Sequence, residues 1–218
     1  MGVGKTIQAI AMCYLYKRDW PVLVIVPSSL RFNWRDEIYK WLDGHLAERA
    51  VQVISKNTDN IDMKCSFTIV SYSLAQRLSQ LIDKMKFQIV IADEAHYLKS
   101  RESKRSRSLI PILTKIKRVF LLTGTPMLGK PNEMYNLIKI LRADVFCKFV
   151  DFGVRYCAPK ESAYGIDWGG SSNTRELHLL LEKSVMIRRL KSEVLLELPA
   201  KRRQKVTIPI DSRNVTKI

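Results

Sequence analysis

The sequence predicts an α/β fold: a parallel sheet with helices on both faces, followed by a C-terminal helical or irregular extension. Two observations carry this. Short apolar runs alternate with stretches of helical spacing up to about Asp144, and the runs are apolar at successive positions rather than every second one. Strands of that kind need cover on both faces, the usual condition of a parallel sheet between helices.

The elements follow in order. Ile7, Ile10, Ala11 and Leu15 recur at helical spacing from Lys5 to about Tyr16, directly after a Gly-rich turn. Val22-Leu23-Val24-Ile25-Val26 is a continuous run closed by Pro27-Ser28-Ser29; Leu30, Trp34, Ile38 and Trp41 then keep helical spacing. A strand therefore hands over to an N-capped helix. The pattern returns at Val51–Ile54, at Phe67–Val70 before a helix from Tyr72, at Phe87–Ala92, and at Val119–Leu122 before a helix from Pro131 through Leu141. Beyond Asp144 the rhythm breaks. Phe146, Phe149, Phe152, Tyr156, Tyr164 and Trp168 share a stretch with Gly165, Gly169, Gly170 and Ser171. A short helix is expected over Arg175–Lys183, and Arg203–Ile210 has strand character. The expected division is 1–144 for the α/β domain and 145–218 for the extension.

Composition narrows the class. A chain of 218 residues can bury a sizeable core, and its 46% hydrophobic content without long Gly/Ser or Pro tracts excludes a disordered or repeat protein. No apolar run reaches membrane length, and the first residues enter a Gly-rich loop without a secretion-signal pattern, so export is not expected. A net charge of +16 favours polyanionic partners, nucleic acid before anionic membrane, since no basic amphipathic anchor helix is visible. Cys13, Cys65, Cys147 and Cys157 lack paired ligand spacing, and three histidines complete no metal set, so the cysteines read as reduced, packed thiols.

Three sequence patches carry chemistry. Gly2-Val3-Gly4-Lys5-Thr6 has the form of the end of a Walker A loop. Its glycines let backbone N–H groups approach phosphates, Lys5 neutralises β/γ oxygens, and the Thr6 hydroxyl suits Mg²⁺. Alone, the pattern reads first as this phosphate loop and second as a glycine turn. Asp93-Glu94-Ala95-His96 follows the run Ile89-Val90-Ile91-Ala92, which puts two carboxylates at the C-terminal edge of a parallel sheet. Asp93 suits Mg²⁺, usually through water, and Glu94 suits activation of an attacking water. Thr123-Gly124-Thr125-Pro126 follows Val119–Leu122 and brings two hydroxyls to the same edge, either to sense a γ-phosphate or as a capping turn. The basic clusters Lys99-Arg101-Lys104-Arg105-Arg107, Lys115-Lys117-Arg118 and Lys201-Arg202-Arg203-Lys205 read first as solvated faces and second as phosphate tracks. Trp168 reads as core first and as a base-stacking platform second.

In that order, Gly4-Lys5-Thr6-Ile7-Gln8, Val26-Pro27-Ser28-Ser29-Leu30, Asp93-Glu94-Ala95-His96 and Leu122-Thr123-Gly124-Thr125-Pro126 closely resemble motifs I, Ia, II and III of superfamily-two helicases, specifically the Swi/Snf-related ATPases. Within that family the chain resembles the annealing-helicase branch, the HARP or SMARCA-like proteins. The features are Trp20-Pro21, Pro27–Arg31, Arg155-Tyr156-Cys157, Gly170–Asn173, Met186–Lys191 and Leu198–Lys201. Met127-Leu128-Gly129-Lys130, where remodelling ATPases carry Gln-Asn, fits the same branch.

The resemblance implies the first RecA-like lobe of a P-loop NTPase that uses ATP and Mg²⁺ to move on forked or duplex DNA without sequence preference. A nuclear role in replication-fork repair goes with it, as do possible replication and repair partners and no membrane. It implies Gly2, Gly4, Lys5, Thr6 and Asp93 as the nucleotide and Mg²⁺ site, with Lys5, Asp93 and Glu94 in hydrolysis. His96, Thr123 and Thr125 would couple nucleotide to DNA, and Ser28, Ser29 and Arg31 would contact a phosphate backbone. Arg188, Arg189 and Lys191 would form the brace toward a second lobe. On this reading the upstream strand and the second lobe, with its arginine fingers, lie outside the chain. A missing finger costs roughly 10³–10⁵ in turnover, so little hydrolysis is expected of the chain alone. Two other readings stand beside this one: a catalytically inactive DNA-binding or interaction module, and the motor lobe of a nucleosome-remodelling ATPase.

Overall fold

A computed structural model of the chain describes residues 3–124, 130–146, 148–163 and 165–189. Met1–Ile187 form one compact unit; of a second, Arg188–Ile218, only Arg188 and Arg189 are described. The first unit is built on a five-stranded sheet of β1 (Val22–Val26), β2 (Val51–Val53), β3 (Phe67–Ser71), β4 (Ile89–Ala92) and β5 (Arg118–Leu121), in the order β2-β3-β1-β4-β5. Every pairing is parallel, and Val24 of β1 lies between Ile69 of β3 and Ile91 of β4. β1, β3 and β4 are buried at every position, whereas the edge strands β2 and β5 are half-buried.

Strand alternation sorts the core into two layers. Val22, Val24 and Val26 meet Ile10 and Cys13 of α1 (Lys5–Leu15) and Trp34 and Ile38 of α2 (Arg31–Trp41). Leu23 and Ile25 point the other way. They meet α3 (Tyr72–Arg77), α4 (Ser79–Met85), α5 (Lys104–Leu113) and α6 (Tyr135–Leu141) through Tyr72, Ala75, Ile82, Leu109, Leu113 and Leu137. The expected α/β sheet with helices on both faces is therefore present. Burial among these side chains pushes the Cys13 thiol up to about 12.

Three local expectations change. Ser28 and Ser29 do not cap α2; Ser28–Leu30 is a 3-10 turn, and Leu30, with no side-chain cap, holds the N-cap position. The tightened turn leaves both hydroxyl-bearing residues exposed instead. Capping oxygens occur at Ser71 and Ser103, which accept from Leu74 N (3.3 Å) and Ser106 N (3.2 Å). α5 lies in a stretch read only for its basic residues, and it keeps Pro111 inside the helix. The helix expected from Pro131 opens as a 3-10 turn, Pro131–Glu133, before α6.

After Asp144 the chain forms α7 (Phe149–Tyr156), an exposed antiparallel hairpin of β6 (Lys160–Ser162) and β7 (Gly165–Asp167), and α8 (Thr174–Ser184). Phe152, Tyr156, Leu177 and Leu181 pack on Met134, Tyr135 and Ile138, so this stretch shares a core with the start of α6. Trp168 is packed there edge-on to Phe149, with ring centroids 5.2 Å apart. The Arg203–Ile210 stretch and the Lys201–Lys205 cluster lie outside the described residues. No described helix is long and apolar enough to cross a membrane.

Candidate nucleotide and DNA site

Because the strands run one way, the segments leaving β1, β4 and β5 emerge at one rim of the sheet. β1 delivers Pro27-Ser28-Ser29, β4 delivers Asp93-Glu94, and β5 delivers Leu122-Thr123-Gly124. α1 reaches this rim from behind. Its C-terminal end sits at the opposite rim, where Trp20 Nε1 donates to the Cys13 carbonyl (2.8 Å) just before β1 begins. There too, Asp19 pairs with Lys117 and Arg118 (both 3.0 Å) at the entry to β5, and the Arg118 guanidinium lies 3.9 Å from the Tyr16 ring centroid. An α1 of 11 residues rises about 16 Å, the length of a five-residue strand such as β1. Lys5 and Thr6 lie at its start, the end away from Cys13 and Trp20.

Gly4 begins α1 in the left-handed conformation (φ 76°), which glycine adopts without a Cβ penalty. No side chain caps this helix and no acidic residue occupies its first turn, so its positive end is presented to the rim. Lys5 and Thr6 are half-buried.

Asp93 is held on several sides. Its N–H donates to the Ile25 carbonyl (2.9 Å), and its own carbonyl accepts from the Tyr72 hydroxyl (2.8 Å). In the carboxylate, Oδ1 accepts from Glu94 N (2.9 Å) and Oδ2 from Trp34 Nε1 (2.9 Å). The side chain is nearly buried, at 7% exposure, yet each oxygen keeps a second lone pair. Burial, with the Asp93 charge beside it, pushes the Tyr72 phenol far above its ordinary range, which keeps it a neutral donor.

Glu94 has a left-handed backbone (φ 49°), costly for a residue with a Cβ and concentrated at functional sites. Its Oε2 lies 3.1 Å from His96 Nδ1, so the structure brings these two expected residues together. Ala95 N donates to the Leu122 carbonyl (2.8 Å), which ties the Asp-Glu-Ala-His turn to the segment carrying the half-buried Thr123.

Ser28 and Ser29 stand exposed at the rim. Arg31 is committed in part: Nε donates to the Ser28 carbonyl (3.1 Å) and Nη1 to the Ile54 carbonyl (2.8 Å). It thus pins the Ser28–Leu30 turn to the end of β2. Much of the basic surface is paired internally. Lys99 meets Glu133 (3.0 Å), Lys115 meets Asp83 (3.5 Å), Arg107 meets Glu102, and Arg101 stacks 3.4 Å from the Phe149 ring centroid. Arg105 lies over Tyr97 and Tyr72, whose own rings are stacked. Arg188 and Arg189 are exposed; Gly2, Thr125 and Lys191 lie outside the described residues.

Trp34 and Tyr72 were missed as site residues, because their spacing marks them only as core. A buried indole N–H needs an acceptor, and that is the one sequence signal that a polar group faces α2. Among the described residues no three His, Cys, Asp or Glu side chains gather as a metal cage. Mg²⁺ bound with a nucleotide needs no such cage: one or two protein oxygens, water and phosphate suffice, and Asp93 with the Thr6 hydroxyl fits that donor set.

A five-stranded parallel sheet in the order β2-β3-β1-β4-β5, covered by helices on both faces, defines a RecA-like α/β lobe. The chain belongs to the SNF2-related domain family, which matches residues 1–216. It is 45% identical over 95% of its length to the SWI/SNF-related matrix-associated actin-dependent regulator of chromatin subfamily A-like protein 1 of Xenopus tropicalis, covering 22% of that protein. It is 44% identical over 97% of its length to the human DNA annealing helicase and endonuclease ZRANB3, covering 20% of it. The chain thus spans about a fifth of these relatives. The Sulfolobus solfataricus SWI2/SNF2 ATPase core in complex with dsDNA shares the fold, with a TM-score of 0.71 at 23% identity, covering 91% of this chain and 41% of that one.

Proposed function

We propose that this chain is the first ATP-binding lobe of an ATP-dependent DNA translocase of the annealing-helicase kind, acting on forked or duplex DNA. The carrying observation is the Asp93 carboxylate, fixed by two donors at the sheet rim where β1, β4 and β5 end, in a chain whose α1 opens with Gly-Lys-Thr. Lys5 and the uncapped α1 terminus neutralise and orient the polyphosphate, while Thr6 and Asp93 supply oxygens toward Mg²⁺. When bound, Mg²⁺-ATP supplies the activated phosphoryl group. Glu94, beside His96, orients a water and takes its proton. Thr123 and Thr125 relay nucleotide state, and Ser28, Ser29 and Arg31 meet the DNA backbone, with Arg188, Arg189 and Lys191 continuing toward a second lobe. Relatives named for DNA annealing and chromatin regulation support DNA as the partner; a nuclear location belongs to the same proposal. In a two-lobed protein carrying this chain, forked DNA is expected to stimulate ATP hydrolysis and Lys5→Ala to abolish it. Unchanged turnover in that variant refutes the reading.

A further inference from the structure

Trp34 is a buried polar donor beside the rim. It is 1% exposed, it sits in the core layer between the sheet and α1 and α2 with Ile38 and Val24, and its single indole N–H is spent on Asp93 Oδ2 at 2.9 Å. A carboxylate can turn about its Cβ–Cγ bond. Glu94 N holds one oxygen of Asp93 and Trp34 holds the other, so the plane of the group is set from two directions. Tyr72 differs, because its hydroxyl meets the Asp93 backbone carbonyl and fixes the chain rather than the carboxylate.

We propose that Trp34 is a positioning residue for the Asp93 carboxylate, presetting the oxygen lone pairs that face Mg²⁺. The proposal rests on the reading of Asp93 as the magnesium carboxylate. The indole does not touch nucleotide or metal; it acts through Asp93, as outer partners of metal ligands commonly do. Trp34 also lies three residues beyond Arg31 on the helix that starts at the Ser28–Leu30 turn. The helix nearest the proposed DNA contacts is therefore the one that aims the carboxylate.

The test is a MgCl₂ titration of fluorescent mant-ADP binding to the two-lobed protein. Trp34→Phe is expected to raise the Mg²⁺ midpoint about 10- to 100-fold while leaving Mg²⁺-free mant-ADP affinity in place. Since the smaller ring leaves a gap, the second variant places 3-benzothienylalanine at position 34, which keeps the indole shape and lacks the N–H. The same shift is expected there, and a wild-type midpoint overturns the proposal. Asp93→Asn separates the two levels. If it shifts the midpoint and the Trp34 variants do not, only the Trp34 proposal fails. If Asp93→Asn leaves the midpoint in place, the magnesium reading fails and the proposal with it. In the Asp93→Asn background, Trp34→Phe is expected to add no further shift; a full additional shift means that Trp34 acts by another route and overturns it.

Discussion

Gly170 approaches Cys157 so closely that a Cβ at position 170 would meet the Cys157 carbonyl oxygen at 2.7 Å and that of Ala158 at 2.8 Å. The obstacle is backbone, and it is tied down. Ser172 N donates to the Tyr156 carbonyl (2.9 Å), and Ser172 Oγ and Asn173 Nδ2 each donate to the Arg155 carbonyl (2.8 Å). The two branch-like stretches, Arg155–Cys157 and Gly170–Asn173, are therefore one clasp. Gly170→Ala is expected to cost about 1–3 kcal/mol in denaturant unfolding, the range for overpacking a site that cannot give. A midpoint within error of wild type contradicts the close approach.

Gly153 poses the same question against a softer neighbour. A Cβ there would sit 2.6 Å from Cε3 and Cζ3 of Trp168. Helix propensity favours alanine over glycine by about 1 kcal/mol inside α7, so the two effects oppose. The clash is expected to win, and Gly153→Ala to destabilise by about 1–2 kcal/mol net. Combining it with Trp168→Leu removes the obstacle, so the double variant is expected to be more stable than the sum of its parts. Simple additivity in thermal unfolding rules out the steric account.

These glycines show where the sequence stops being legible. The central strands were readable because β1 and β4 are buried on both faces and so are apolar at every position. The start of α1 was readable because Lys5 follows Gly4, and the exit from β4 because Asp93 follows an apolar run. α7 was not readable: its glycine answers to Trp168, fifteen residues away, and no local pattern records that. α5 was hidden by Pro111 and by basic residues that look solvated in one dimension, although Arg105 lies over Tyr97. The Trp34–Asp93 bond spans 59 positions; spacing could turn the indole inward but could not name its acceptor.

Asp19 gives the α1–β5 entry a pH dependence. The Lys117 hydrogen bond, with the charges of Lys117 and Arg118, holds its carboxyl below the ordinary aspartate value. A group with a lowered folded pKa contributes stability that is present above its unfolded value of 3.8 and is lost as pH falls through the lower folded value. Lys117→Ala is therefore expected to lower the denaturant midpoint slightly at neutral pH, because the pair is solvent-screened, and to converge with wild type in strong acid. A gap that persists in acid assigns the effect to packing of the lysine stem.

Glu94→Gln separates binding from chemistry in the proposed reaction. The amide keeps the size of the side chain and its place beside His96, whose Nδ1 lies 3.1 Å from Oε2, but it cannot accept a proton from water. Removing a positioned base costs about 10²–10⁴ in turnover, whereas the phosphate contacts proposed for Lys5, Thr6 and the start of α1 are untouched. In the two-lobed protein, kcat with forked DNA is expected to fall by about that factor while the mant-ADP dissociation constant stays within about threefold. Lys5→Ala is expected to lose both, since the lysine meets the phosphates before as well as during reaction. If Glu94→Gln also loses nucleotide, the left-handed turn at Glu94 is what the carboxylate supports, and its role is to shape the rim rather than to take the proton.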